Sequence, residues 1–537
     1  ECKFVHPNSL KYYNIKGYER IPQIIYNTLV ESVKRKYNED FFGRGRLTVD
    51  PYEVWRKVNE DSSSILVDDL NPILYLKQKE DTTAVGTFGR KKESMPIPTR
   101  EMHPDDVGVI SEATKDSGDA GITAYMSANP LVSNLRGFKK DVKKLDMSNI
   151  LSTSGMLAPF GTTDDPKRLN FVNIQNSHVI PYINPEVYPV RTGYDAVLPY
   201  KLGPKFIGIA EEDGVVEKVF NNKLIIKYKT LGKKTYVFKN WTSKEESEVA
   251  WIHIMKPNVT EGQKVKKGDI IYYDHSFFEP DIFDPTKVMY RTHLIARTCL
   301  IEANETFEDS CSISSKLAKR AKIEYVKVRS IIIDADNEID NLVKIGDKVN
   351  PTDALFTIRT GLLEDDGNFS QDVLDLMEGF IKSTPKAKVK GTVYDIRVFY
   401  NANEDELSDT LKELVDNINK RLKSEGKKYT AKVNSSYSVR GIPLDTGKVE
   451  IKIYIRIENN MGLGDKAIFG NQLKSTVGEV YDYLVTDEHG GEIDAMFSNR
   501  ALMARVVNSA YLMGTTATLL KLLTEKAINI YYGNSEK

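Results

Sequence analysis

The chain has 537 residues, 75 Lys plus Arg against 76 Asp plus Glu, a formal net charge of -1 and 40% hydrophobic residues. At about 100–200 residues per domain this length predicts a soluble chain of several domains, and the near-neutral balance excludes a basic arm or acidic tail as the main device for meeting a polyanion. Three cysteines, Cys2, Cys299 and Cys311, exclude a disulfide scaffold or a cysteine-rich zinc site and fit a reducing compartment, while every apolar run falls short of the ~20 residues a membrane span needs.

In chain order, the first stretch, to about residue 180, mixes helical and irregular segments. Tyr52–Asn59 carries Val54, Trp55 and Val58 at helical spacing, and Asn71-Pro72 breaks the chain after it. From Gly86 to Pro104 the composition predicts an extended, positively charged loop. Between about 190 and 360 short β-branched segments predict strands, among them 214–219, 224–228 and 330–333. Two segments there, 265–270 and 343–349, each place a Gly-Asp turn between short strands. Leu407, Leu411, Leu414, Val415, Ile418 and Leu422 stripe one face of a helix predicted over 404–424. Alternation of Val449, Ile451, Ile453 and Ile455 against Glu450, Lys452, Tyr454 and Arg456 predicts a long strand over 448–457. A hairpin is predicted at 487–492 around Gly490-Gly491, and a helical segment over 498–530.

There is no Walker A pattern, no Gly-rich dinucleotide fingerprint and no pair of His at helical zinc spacing. Asp334-x-Asp336-x-Glu338 has Ile339 where a calcium loop needs Gly, so a solvated turn is expected. Glu308 and Asp309 follow an apolar strand; such a pair either meets a hydrated divalent cation or forms a solvated turn. Lys466 and Lys474 flank a Gly-bearing loop, where two ammonium groups suit phosphate oxygens or simply face solvent. Arg505 lies among apolar neighbours, placed for a bidentate phosphate contact or for an ion pair with Asp494 or Glu492. Basic clusters at Arg90-Lys91-Lys92, Lys139-Lys140 with Lys143-Lys144, and Lys316–Lys322 suit a nucleic-acid backbone or a wet face.

Taken in order, these segments resemble the beta subunit of multisubunit DNA-directed RNA polymerases. Asn71-Pro72-Ile73 is similar to the family's Asn-Pro-Leu, and Arg100-Glu101-Met102-His103-Pro104 to its Arg-Asp-Val-His-Pro. Pro159-Phe160, Asp164-Asp165-Pro166-Lys167-Arg168, Asn173-Ile174-Gln175 and Val179-Ile180-Pro181 resemble its Pro-Phe…Asp-Asp-Ala-Asn-Arg…Asn-Met-Gln…Val-Pro run. Asn304–Ser310 resembles Asn-Gly-Tyr-Asn-Phe-Glu-Asp-Ser. Gly464-Asp465-Lys466, Lys474, Ile493-Asp494 and Arg505 match Gly-Asp-Lys, a second lysine, Val-Asp and the arginine of Ser-Arg-Met.

The resemblance implies an α+β, β-rich multidomain fold with a double-psi β-barrel interrupted by two sandwich-barrel hybrid modules, one of them the flap. The expected division is 1–180, a fork and antibiotic-pocket-like region; 181–285, an inserted hybrid module; 286–325, the first part of the barrel; 326–447, the flap-like module; 448–497, the second barrel part with the lysines; and 498–537, a helical end. It further implies nucleotidyl transfer on a DNA template. Lys466 and Lys474 would contact phosphates of the RNA 3′ end and incoming nucleoside triphosphate, Arg505 the triphosphate tail, and Asn176 would stand where the family has an RNA-binding arginine. Glu308 and Asp309 would lie near a second Mg²⁺, directly or through water, with the tightly held Mg²⁺ on a partner subunit bearing Asp-Phe-Asp-Gly-Asp, a motif absent here.

The chain opens at Glu1 without an initiator Met and lacks the family's amino-terminal lobe and carboxy-terminal clamp sequences. It therefore reads as the carboxy-terminal part of a split beta subunit like those of giant tailed bacteriophages, inactive alone. Its expected partners are an amino-terminal beta fragment, beta-prime fragments, a promoter-specificity factor, template DNA, RNA and nucleoside triphosphates, with no membrane. The expected location is the cytoplasm of an infected bacterium or the virion. The alternative is a non-catalytic biotinyl- or lipoyl-like carrier module, which requires an exposed Met-Lys at a hairpin tip; no Met-Lys is expected in such a turn, since Met255-Lys256 sits beside Pro257 after a strand.

Overall fold

A computed structural model describes residues 20–39, 50–61, 64–85, 90–133, 139–140, 144–245, 247–282, 284–359, 384–425, 429–434, 437–439 and 441–533. Cys2 and Lys143 lie outside them. The chain forms two units, one of Glu1–Lys239, Met255–Arg320 and Gly462–Lys537, the other of Asn240–Ile254 and Ala321–Met461. The helices used below are α1 (Arg20–Glu39), α2 (Pro51–Glu60), α3 (Pro72–Lys79), α4 (Pro166–Ser177), α5 (Asp409–Ser424), α6 (Asn499–Met503) and α7 (Asn508–Tyr531). The strands are β1 (Trp241–Thr242), β2 (Val249–His253), β3 (Thr298–Leu300), β4 (Ser310–Ser314), β5 (Ile323–Asp334), β6 (Lys348–Val349), β7 (Gly391–Asn401), β8 (Lys448–Asn459), β9 (Lys466–Phe469), β10 (Leu473–Tyr481) and β11 (Ala495–Phe497).

In the first unit, local capping sets the helix starts. Asp50 accepts from the Tyr52 N–H at 2.9 Å with Pro51 in the first turn of α2. Asn71 accepts from the Leu74 N–H at 2.7 Å to cap α3, and its fully buried amide donates to the carbonyls of Ser177 and Val179 at 3.0 and 2.9 Å. One Asn-Pro dipeptide thus starts α3 and ties it to the end of α4. The predicted loop at 86–104 contains two short 3₁₀ turns, Lys92–Ser94 and Ile97–Thr99.

The sheet that carries Lys466 and Lys474 has five strands in the order β3-β11-β4-β10-β9, with β3–β11 and β4–β10 parallel and the other pairs antiparallel. Cys311, Ile313, Leu473, Val477, Tyr481, Ala495 and Phe497 are its buried hydrophobic residues, and the Phe469 and Phe497 rings stack at 4.9 Å. Every sheet among the described residues is an open array. The helix predicted over 498–530 is two helices, because Ala504–Val507 leaves the helical path between α6 and α7. Met255-Lys256 lies in a strand paired with Tyr272–Asp274 and Met255 is buried, so it does not occupy a hairpin tip.

The second unit is built on a six-stranded antiparallel sheet, order β6-β7-β8-β5-β2-β1, in which β8 pairs with β5 from Ile323↔Asn459 to Asp334↔Lys448 and with β7 on its other side. Val449, Ile451, Ile453, Ile455 and Ile457 of β8 pack in one cluster with Leu411, Val415, Ile418 and Leu422 of α5. The helix begins later than predicted: Glu404–Glu406 is a 3₁₀ turn, and Ser408 caps α5 by accepting from the Leu411 N–H. The opposite face of β8 is polar but not uniformly wet. Glu450 is fully buried, accepting from Tyr437 Oη at 2.6 Å and from Ser330 Oγ. Among the described residues, no helix is long and apolar enough to cross a membrane.

Candidate functional site

Antiparallel register decides where the two lysines stand. In the β9–β10 hairpin Lys466 is opposite Thr476 and Ile468 opposite Lys474. Opposed residues share a face, so Lys466, Ile468, Lys474 and Thr476 look one way while Leu473 and Ser475, both buried, look the other. The lysines are diagonal neighbours, roughly 7 Å apart at the side-chain base. Both are exposed, and neither forms an ion pair among the described residues.

Segment 159–165 clasps this hairpin to the region of Arg505. Asn471 Nδ2 donates to the Pro159 carbonyl at 3.0 Å, and buried Gln472 donates to Asp164 Oδ2 at 2.9 Å. Asp164 also accepts from the Ser509 N–H and Oγ at 2.8 and 2.6 Å, at the start of α7. Asn508 Nδ2 donates to the Thr163 carbonyl at 3.1 Å, and the Asp165 N–H reaches the Val506 carbonyl at 3.4 Å. A single carboxylate, Asp164, therefore links the loop between the lysines to the chain following Arg505.

Arg505 is half-buried in the short connection between α6 and α7 and grips Asp309 through both guanidinium nitrogens, at 2.6 and 2.8 Å. That paired carboxylate pushes the guanidinium further above its usual range. The expected partners Asp494 and Glu492 are engaged elsewhere: Asp494 accepts from the Arg297 N–H at 2.9 Å and Glu492 from Lys316 at 2.7 Å. Asp309 is fixed in turn, because its carbonyl accepts from the Thr476 N–H and Ser475 Oγ, each at 2.8 Å. Arg168 on α4 joins the group; burial and then the nearby Arg505 charge push its pKa down, and its guanidinium lies 5.2 Å from the Phe171 ring. Lys466, Lys474, Arg505 and Asp309 are thus brought together through β10, with Arg168 beside Arg505.

Glu308 is exposed in a left-handed turn, φ 56°. Among the described residues no group of three or more His, Cys, Asp or Glu side chains converges, and both Asp309 oxygens are taken by Arg505. Asn176 stands apart: it is in the last turn of α4, about 15 Å along the helix from Pro166, and its carbonyl accepts from Asn71. Several cations of the basic clusters are committed within the protein, with Lys139 buried against the carbonyl of Asp105 at 2.8 Å, Lys92 on Asp119 at 2.5 Å and Arg320 on Glu186 at 2.8 Å.

A family profile described as Bacteriophage RNA polymerase matches residues 2–93. Among curated proteins the chain is similar to the DNA-directed RNA polymerase subunit beta of Chlamydia felis (strain Fe/C-56), 23% identical over 474 residues that cover 70% of this chain and 35% of the relative. It is likewise similar to that subunit in Protochlamydia amoebophila (strain UWE25), 26% identical over 317 residues, 52% of this chain and 24% of the relative. A third relative, from Rickettsia prowazekii (strain Madrid E), is 28% identical over 173 residues, 32% of this chain and 12% of the relative. The chain spans about a third of the length of the first of these.

Proposed function

We propose that this chain is part of the beta subunit of a DNA-directed RNA polymerase and that it presents cations to the phosphates of the RNA 3′ end and the incoming nucleoside triphosphate. The observation that carries this reading is the pair of exposed, unpaired lysines on one face of the β9–β10 hairpin, joined through Asp309 to Arg505 with Arg168 alongside. In the reaction the 3′ oxygen bonds to the α-phosphorus and the bond to the β-phosphate oxygen breaks, so negative charge grows on the pyrophosphate. Fixed ammonium and guanidinium groups beside that charge stabilise it without reorganising at the moment of transfer. Lys466 and Lys474 would hold phosphate oxygens, and Arg505 and Arg168 would meet the triphosphate tail. The divalent ions that assist such a transfer would be held mainly by a partner subunit.

Similarity to the beta subunits and to the bacteriophage profile supports the same assignment. We extend it to a viral, split beta subunit whose five-stranded sheet belongs to a double-psi barrel, acting with beta and beta-prime fragments and a promoter-specificity factor in the infected cell or the virion. The test is reconstitution of the complex with and without this chain on a primed template. RNA extension that depends on the chain is expected; extension at full rate by the partners alone would contradict the proposal.

A further inference from the structure

The loop that delivers Lys466 to the hairpin is one of three copies of the same turn. At Gly462–Asp465 the Asp465 N–H donates to the Gly462 carbonyl at 3.2 Å, Gly464 has φ 84°, and the Asp465 carboxylate accepts from the Gly462 N–H at 2.8 Å. Lys266–Asp269 repeats each element, with the backbone bond at 3.1 Å, Gly268 at φ 96° and the carboxylate bond to the Lys266 N–H at 2.8 Å. Lys344–Asp347 repeats them again, at 3.0 Å, φ 97° for Gly346 and 2.7 Å. Each turn also clamps one residue of a neighbouring segment by exchanging two backbone bonds. The Gly464 N–H donates to Val477 at 2.9 Å and receives the Val477 N–H on the Asp465 carbonyl at 2.8 Å; the other two turns hold Ala210 and Val393 in the same way, at 2.8–2.9 Å.

The clamp on Val477 has a consequence that the other two lack. It fixes the register in which Lys466 opposes Thr476, and a slip of one residue would send Lys466 to the face where Leu473 and Ser475 are buried. We propose that Asp465 is a positioning residue: its carboxylate closes the turn that holds Lys466 on the same exposed face as Lys474, and its charge plays no part at the phosphates. Resting on the phosphate-binding role assigned to Lys466, this gives the Gly-Asp of Gly-Asp-Lys a purely geometric task, as at the two turns that carry no such lysine pair.

The test measures single-nucleotide addition by the assembled polymerase carrying Lys466→Ala, Asp465→Ala, Asp465→Asn, Gly464→Ala or Asp269→Ala. Lys466→Ala and Asp465→Ala are expected to slow addition about tenfold or more, the scale on which misplaced groups act. Asp465→Asn is expected to stay within about twofold, because its amide oxygen still accepts from the Gly462 N–H. Gly464→Ala keeps the carboxylate but strains a positive-φ backbone, so it should be slow; Asp269→Ala should be normal. An Asp465→Asn as slow as Asp465→Ala would overturn the proposal by making charge the active property. So would a normal Asp465→Ala beside a slow Lys466→Ala, or a slow Asp269→Ala. A normal Lys466→Ala would instead overturn the phosphate role itself. Should Asp465→Ala not assemble, the other pair decides: normal Asp465→Asn with slow Gly464→Ala supports positioning, and the reverse contradicts it.

Discussion

The polar face of β8 in the second unit and the exposed face of the β9–β10 hairpin in the first treat positive charge in opposite ways. On and around β8 the cations have carboxylates: Lys452 meets Glu245 at 3.0 Å, Arg397 and Arg421 meet Asp395 at 3.0 and 2.6 Å, Lys448 meets Asp334 at 2.6 Å and Arg456 meets Glu324 at 3.2 Å. On the hairpin, Lys466 and Lys474 stand without a carboxylate among the described residues. A chain whose charges sum to -1 can neutralise cations internally, and these cations on and around β8 are neutralised so. Two like charges left side by side on a strand repel each other and add nothing to folding, so their placement makes sense when an anion from outside completes the site.

Substitutions can break that comparison. The largest effect is expected for Arg505→Ala in the assembled complex, with nucleotide addition slowed roughly a hundredfold, the scale for losing one charge-stabilising donor; a rate near that of the parent would remove Arg505 from the site. Asp164→Ala severs the link between the lysine loop and the start of α7, and loss of its bonds should lower stability by about 2–4 kcal/mol, read as an earlier urea midpoint, together with slower addition. Lys452→Met and Lys466→Met sharpen the contrast directly. Lys452→Met leaves fully buried Glu450 and half-buried Glu245 without their cation, for about 3 kcal/mol, the low end for a buried pair because Glu245 is partly exposed, whereas Lys466→Met should stay within the ~0.5 kcal/mol of ordinary surface changes. Equal losses from the two would erase the distinction.

The smallest effect is a pH dependence away from the site. Burial, then the charge of Arg291, holds His275 well below its ordinary 6.5, at about 4. Between those values the unfolded chain binds a proton that the folded chain refuses, so stability is complete above the ordinary value and is lost as pH falls toward the depressed one. The urea midpoint should drop between pH 7 and pH 5, and His275→Gln should flatten that part of the profile.

Much of the architecture was legible because it is periodic: the α5 stripe, the β8 alternation and the Asn-Pro start of α3 each rest on neighbours a few residues apart. The two lysines were legible as a spacing, and the Gly-Asp turns as a pattern, although the third copy at 462–465 was hidden inside the motif it serves. What was not legible depends on distant partners. Arg505 and Asp309 are 196 positions apart, and Asp164 and Ser509 345, so neither the bidentate pair nor the clasp leaves a local signal. Glu450 sits on a face that alternation assigns to polar residues, yet the Tyr437 segment covers it. The break inside the predicted C-terminal helical segment leaves no signal for a simpler reason: residues 504–507 carry no Gly or Pro to announce it.

The central claim is that unpaired lysines meet nucleotide phosphates. It is tested most directly by the rate of single-nucleotide addition, across nucleotide concentration, in a fully assembled complex carrying Lys474→Ala. A loss of roughly a hundredfold with unchanged subunit composition is predicted. A rate constant and half-saturating concentration both matching the parent complex would contradict it.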